Sequence, residues 1–227
     1  MKILCVDTST SAGSITLSEQ DRILGEFNVD SGQTHSARLL PGIEALLKST
    51  GLGLADTDAL AVICGPGSFT GLRIGLATVK GLGYMHSKPI IAVDAFDAWF
   101  EKFSELQGVV IPVLDAGRGE IYTRIYGRGS EQDQILSPGS VDKAATFVKG
   151  LSFGAATFVG HGAEVHRSLI IGRNQPGWTI RTADLFLGRA LARIAHRKLK
   201  SSEVVSAAEL EPYYLRKSDA ELNWKES

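Results

Sequence analysis

A short apolar run at residues 60–64 leads without a spacer into Gly65-Pro66-Gly67-Ser68-Phe69-Thr70-Gly71, and an apolar helical pattern follows over residues 72–84. A buried strand that turns at once into a helix is the unit from which parallel sheets are built, because the helix carries the chain back across the sheet. Another strand-like run, residues 90–93, completes the β-α-β pattern. The chain therefore reads as α/β.

Upstream, residues 3–6, 14–17 and 23–29 are rich in β-branched and aliphatic side chains and are punctuated by Ser, Gly and Asp, which predicts a three-stranded antiparallel start. A helix follows. Thr34 or Ser36 can cap it, Leu39, Leu40, Ile43, Leu46 and Leu47 recur at three and four spacing, and Gly51 closes it. Pro41 is expected near its first turns, where a missing donor does least harm. The second half begins again. Residues 109–115, a Gly-containing turn and residues 120–126 repeat the strand, Asp-led turn and strand of residues 3–17, and residues 158–162 resemble residues 61–65. Two related lobes are expected. Further helices are expected at residues 141–149 and 185–199, while the polar residues 217–227, with only Trp224 to pack, are expected to be a flexible tail.

With 44% hydrophobic and 22% charged residues over 227 positions, the chain has the composition of an ordinary globular protein. No stretch reaches the 18 or so apolar residues of a membrane span, and Met1 leads directly into a strand pattern rather than a signal peptide, so the cytoplasm is the expected compartment. Cys5 and Cys64 lie in apolar strand-like runs and read as small buried hydrophobes, not as a disulfide. The formal charge of -1 excludes the global positive field of a protein that holds nucleic acid by itself. Arg189, Arg193, Arg197, Lys198 and Lys200 make one helix basic, and a solvated face is the safer reading.

The Gly65 to Gly71 turn enters a helix N-terminus, where unpaired N–H groups and the helix dipole can hold an anion. Taken from the residues alone, a tight connection whose glycines satisfy backbone angles is the preferred account. The segment lacks the Gly-Lys-Ser/Thr ending of a P-loop and the third Gly of a dinucleotide fingerprint, and Pro66 stands where a nucleophile elbow needs Gly. Asp7-Thr8-Ser9-Thr10 can place Asp7 on a metal-bound water and its hydroxyls on phosphate, or can be a plain hairpin turn; Asp115-Ala116-Gly117-Arg118-Gly119-Glu120 carries the same two readings. Among His35, His86, His161, His166 and His196 no pair has the i, i+4 spacing of helical metal ligands, and His35 is followed at that spacing by Leu39. The second helix carries Gly71, Gly75, Gly81 and Gly83, each interior Gly costing roughly 1 kcal/mol against Ala. Leu72, Ile74, Leu76, Val79 and Leu82 point several ways around its axis. Packing on two sides, a sheet and a partner whose backbone approaches at the small residues, reconciles the two facts; burial wholly within the chain is the alternative.

The run Gly65-Pro66-Gly67-Ser68-Phe69-Thr70-Gly71-Leu72-Arg73-Ile74-Gly75 resembles the signature of the TsaB (YeaZ) family. Ile3-Leu4-Cys5-Val6-Asp7-Thr8-Ser9, His35-Ser36-Ala37-Arg38-Leu39-Leu40-Pro41, Leu114-Asp115-Ala116-Gly117-Arg118-Gly119-Glu120-Ile121-Tyr122 and Pro212-Tyr213-Tyr214-Leu215-Arg216 support it in order along nearly the whole chain. The resemblance implies the actin, Hsp70 and sugar-kinase (ASKHA) fold, with an N-terminal ribonuclease H-like lobe over residues 1–104 and a smaller one over residues 105–216. It also implies a non-catalytic scaffold that is a homodimer alone, pairs with the catalytic relative TsaD, is joined by the ATPase TsaE, and serves threonylcarbamoylation of adenosine 37 in tRNAs reading ANN codons. The metal site of TsaD uses an HxxxH motif; here the matching stretch has His35 and Leu39, one ligand short.

On that resemblance no catalytic residue, metal or cofactor is expected, and tRNA is met only through the complex. The implied interface is His35, Leu39, Leu40, Ile43 and Leu46 with Leu72, Ile74, Gly75, Thr78, Val79 and Leu82. Asp7, Thr8, Ser9, Gly65, Gly67, Ser68 and Asp115 are the implied vestigial nucleotide site. The family commonly shows two arginines after the Asp-Ala of the second-lobe turn, whereas this chain has Gly117 before Arg118. The rival functions are a nucleotide-binding regulator and a sugar-kinase-like or glycoprotease-like enzyme.

Overall fold

The computed structural model describes residues 1–20, 22–31, 34–129 and 132–216, so the expected tail at 217–227 lies outside the described residues. β1 (Lys2–Asp7), β2 (Gly13–Glu19) and β3 (Arg22–Val29) form the antiparallel start, with Val6 opposite Ile15 and Asp7 opposite Ser14. α1 (His35–Thr50) leads to β4 (Ala59–Gly65), α2 (Phe69–Met85), β5 (Ile90–Asp94) and α3 (Ala95–Lys102). The sheet order is β3-β2-β1-β4-β5, and β1, β4 and β5 are parallel.

Strand alternation sorts the side chains onto two faces. α1 lies over β2 and β3 beside α2, and buries Leu39, Ile43 and Leu46 on the face that carries Ile15. Its start has no side-chain cap, and Pro41 sits in the second turn, near the start as expected, on the exposed side of the helix. α2 begins at Phe69, three residues before the expected start, because the Ser68 hydroxyl caps it by accepting the Gly71 N–H at 3.2 Å. α3 was not anticipated. The Asp94 carboxylate accepts the Phe96 N–H at 2.7 Å, and Phe96, Ala98 and Trp99 are buried.

The second unit starts with β6 (Gly108–Gly117), β7 (Glu120–Arg128) and β8 (Gln134–Lys143). α4 (Ala144–Gly150), β9 (Ala155–Val159), α5 (His161–Val165), α6 (Arg167–Ile171) and β10 (Gly177–Arg181) follow. Read from the β8 edge, its sheet is β8-β7-β6-β9-β10: two antiparallel pairs and then two parallel pairs, the same succession as β3-β2-β1-β4-β5. This is the internal repeat seen in the sequence. Gly65 at the end of β4 and Gly160 just after β9 even share a positive φ, +133° and +95°, where a side chain is disfavoured. Phe158 and Trp178, ring centroids 5.1 Å apart, anchor the core of this unit.

Two expectations are corrected. Residues 141–143, expected to open a helix, end β8, where Lys143 pairs with Glu120; the helix begins only at Ala144, whose N–H donates to the Gly119 carbonyl. The last helix, α7 (Gly188–Lys200), falls within the expected second lobe at residues 105–216. It belongs to the first: the compact units are Met1–Lys102 with Asp184–Tyr213, and Phe103–Ala183 with residues 214–216. Burial is the cause. Leu191, Ile194 and Ala195 are buried where α7 packs on β1 and β2, and His196 Nε2 lies 3.0 Å from the buried Ser18 hydroxyl. A fully buried Leu or Ile contributes about 1.5–3 kcal/mol, which a solvated helix would forgo.

Candidate functional site

The glycine-rich turn and the first Asp-led turn meet. The Ser68 N–H donates to the Ser9 carbonyl at 2.7 Å, and the Thr8 hydroxyl donates to the Gly71 carbonyl at 2.8 Å. A Cβ added to Gly67, Gly71 or Gly75 would come within 2.4 Å of Ser9 O, 2.1 Å of Thr8 O and 2.3 Å of Thr8 Oγ1 respectively. These glycines therefore let α2 lie directly on the β1–β2 turn. Two of the turn's N–H groups, those of Ser68 and Gly71, are already used within the chain. The structure thus brings Thr8 and Ser9, the latter bonded to Asp7, together with Gly67 and Ser68, but as a packed joint, while Gly65 lies against Tyr213 and Leu72.

Asp7, Thr8 and Ser9 are buried. Asp7 Oδ1 accepts the Ser9 N–H at 2.8 Å, whereas Oδ2 has no hydrogen-bond partner, and neither do the buried hydroxyls of Ser14 and Thr16. Burial pushes the Asp7 carboxyl up to about 6, against the Ser9 bond and the field of Lys102. In the second unit Asp115 is occupied: its N–H donates to His161 Nε2 at 3.1 Å, and its Oδ1 lies 3.2 Å from His166 Nε2. Sequence spacing gave no sign of this Asp115, His161 and His166 grouping, because the histidines sit five residues apart, His161 opening α5 and His166 in the turn between α5 and α6.

His35 is also committed. Its Nε2 lies 2.7 Å from the Thr10 carbonyl, and its Nδ1 lies 3.0 Å from an Arg38 nitrogen. A carbonyl only accepts and a guanidinium only donates, so the ring is the neutral Nε2–H tautomer with both nitrogens engaged. Leu39, at the position of the absent second His, is buried. Among the described residues no group of three or more His, Cys, Asp or Glu side chains is gathered for a metal.

Of the implied interface residues, Leu39, Ile43, Leu46, Leu72, Gly75 and Val79 are buried within this chain. His35, Ile74, Thr78 and Leu82 are half-buried, and Leu40 is 55% exposed. The outward face was only partly anticipated. On α2 it runs Arg73, Ala77, Gly81 and Tyr84 at helical spacing, with Tyr84 81% and Met85 76% exposed; on α1 it holds Ala37, Leu40, Pro41 and Glu44. A signal was there to find, since Tyr84 falls eleven residues after Arg73 on one helical stripe. The basic face of α7, by contrast, is largely tied up in ion pairs: Arg189 pairs with Glu26, Arg193 and Arg197 share Glu101, and Lys198 reaches Glu203. Although burial pushes Glu101 up, Arg197 and Arg193 hold its carboxyl below the usual carboxylate range. No helix among the described residues is long and apolar enough to cross a membrane.

Comparison with known proteins gives this geometry its context. The family model for tRNA N6-adenosine threonylcarbamoyltransferase, TsaD, matches residues 29–224. The tRNA threonylcarbamoyladenosine biosynthesis protein TsaB of Escherichia coli is 30% identical, the match covering 99% of this chain and 97% of that one. The protein of the same name from Haemophilus influenzae is 31% identical, with 99% and 96% covered. Among solved structures, YeaZ from Pseudomonas aeruginosa superposes with a TM-score of 0.78 at 25% identity over 94% of this chain and 99% of that one. Component A of (R)-2-hydroxyglutaryl-CoA dehydratase from Acidaminococcus fermentans, at a TM-score of 0.52 and 10% identity over 88% and 99% of the two chains, shares the ASKHA fold alone.

Proposed function

Because this chain belongs to the TsaB (YeaZ) family, and with it to tRNA threonylcarbamoyladenosine biosynthesis, we propose that it acts there as a non-catalytic subunit. In this reading it is a homodimer alone, docks the exposed face of α1 and α2 on TsaD, is joined by TsaE, and meets tRNA only within that assembly, in the cytoplasm. The carrying observation is the outward face itself: Leu40, Tyr84 and Met85 are large apolar side chains left in solvent on two neighbouring helices. Surfaces of that kind mark association sites. The engaged nitrogens of His35 and the burial of Leu39 support the non-catalytic part, since the motif position that serves metal chemistry in TsaD does structural work here.

Leu40→Glu tests the surface without touching the core. A charge forced into an apolar contact costs several kcal/mol, whereas the same change on an exposed helix face alters stability by about 0.5 kcal/mol or less. Sedimentation should show weaker self-association and a lost complex with TsaD, at an unchanged melting temperature. A complex of undiminished affinity would move the docking face elsewhere.

A further inference from the structure

The first turn of α1 is tied down in an unusual way. Its N-cap residue, Thr34, makes no side-chain cap bond, and no acidic residue lies in the turn to meet the helix dipole. What holds it is a crossing of polar groups from α1 to the β1–β2 turn. His35 Nε2–H donates to the Thr10 carbonyl at 2.7 Å. One Arg38 nitrogen donates to the Ser11 carbonyl at 2.6 Å and to His35 Nδ1 at 3.0 Å, while the other reaches the Ser31 hydroxyl at 3.2 Å.

The His35 to Arg38 bond exists only while Nδ1 keeps its lone pair. A proton there sets an imidazolium N–H against a guanidinium N–H, two donors and two positive charges 3.0 Å apart. We propose that His35 is a pH-sensitive latch: protonation of Nδ1 breaks the bond from Arg38 and releases the first turn of α1 from the β1–β2 turn. Its consequence for association rests on the reading of α1 as a docking helix; the release itself does not.

The surroundings fix the sign. Burial first, and Arg38 second, lower the affinity of His35 for a proton, against the Thr10 bond that raises it. Stability contributed by the latch is therefore complete above the ordinary histidine range and is lost as pH falls through the lower folded value. Among the described residues, Asp7 lines the same small void from β1 and Arg38 lines it from α1; the remaining lining residues, on the β1–β2 turn, β2, β3 and α1, carry no other titratable side chain than His35 itself. Asp7, when ionised, favours the imidazolium, and Arg38 opposes it.

The experiment uses the whole chain and needs no variant to begin. Nitrogen NMR of the His35 ring should show the Nε2–H tautomer near pH 7.5 and titration below the ordinary histidine range. Hydrogen exchange of the α1 first-turn amides, corrected for intrinsic rate, should show roughly tenfold lower protection near pH 5.5 than near pH 7.5, the loss of about one hydrogen bond. His35→Gln keeps a donor for Thr10 and an acceptor for Arg38 without a titrating group, so its protection should not change with pH. An Nδ1–H tautomer, an ordinary titration, or the same pH response in His35→Gln would overturn the latch. Self-association measured at both pH values should weaken in the native chain and not in His35→Gln. If Leu40→Glu leaves association intact, the docking reading has failed, while the exchange data still decide the latch.

Discussion

Gly71→Ala is expected to destabilise the first unit by about 3 kcal/mol, although alanine is the better helix former. The new Cβ would lie 2.1 Å from the Thr8 carbonyl oxygen, a backbone atom, and relief means moving α2 off the β1–β2 turn and losing the Thr8 to Gly71 hydrogen bond. Gly75→Leu should do at least as much damage, since even its Cβ would lie 2.3 Å from Thr8 Oγ1. Gly81 supplies the contrast, because a Cβ there meets nothing within 4 Å. Gly81→Ala should stabilise the isolated chain by up to about 1 kcal/mol through helix propensity. Urea unfolding of the three variants decides by sign. If Gly71→Ala and Gly75→Leu leave stability unchanged or raise it, those glycines face outward and the joint described above is misread.

Asp7→Asn should raise stability by about 2 to 3 kcal/mol near pH 7.5. The folded chain holds the carboxyl at about 6 against an ordinary value of 3.8, so the native state prefers the protonated acid. A raised acid pKa makes the native chain lose stability as pH climbs from about 4 to about 6, with the full penalty above that range. Asparagine cannot ionise, and its amide oxygen can still accept the Ser9 N–H. Melting temperatures should therefore converge near pH 4 and diverge as pH rises. Parallel curves for the two proteins, or a variant less stable at neutral pH, would show that the ionised carboxylate is satisfied by something the buried Oδ2 does not display. Stability given up at a buried carboxylate is a mark of sites retained for binding or descended from binding sites.

How far the sequence could be read depended on the range of the contacts involved. β1 to β4, α1 and the strand-to-helix turn were legible because each rests on local periodicity and local turn chemistry. β8 was not, because Pro138, Gly139 and Ser140 break the alternation of a strand that lies at the sheet edge, where such residues are tolerated. α7 was legible as a helix but not as part of the first unit, since its partners on β1 and β2 lie far away in the chain. Gly75 failed for the same reason. Its missing side chain looked like room for another molecule, whereas the atom that needs the room is on Thr8. The commitment of His35 was equally hidden: its partners are Thr10, remote in sequence, and the guanidinium of Arg38, which the pattern did not single out.

Threonylcarbamoyl transfer to tRNA, assayed from threonylcarbamoyl-AMP with the chain alone, with TsaD alone, and with both, decides whether this chain is a subunit without catalytic power of its own. A non-catalytic subunit gives no product alone, and the pair reacts faster than TsaD alone. Product formed by the purified chain alone, at a rate proportional to its concentration, would contradict it.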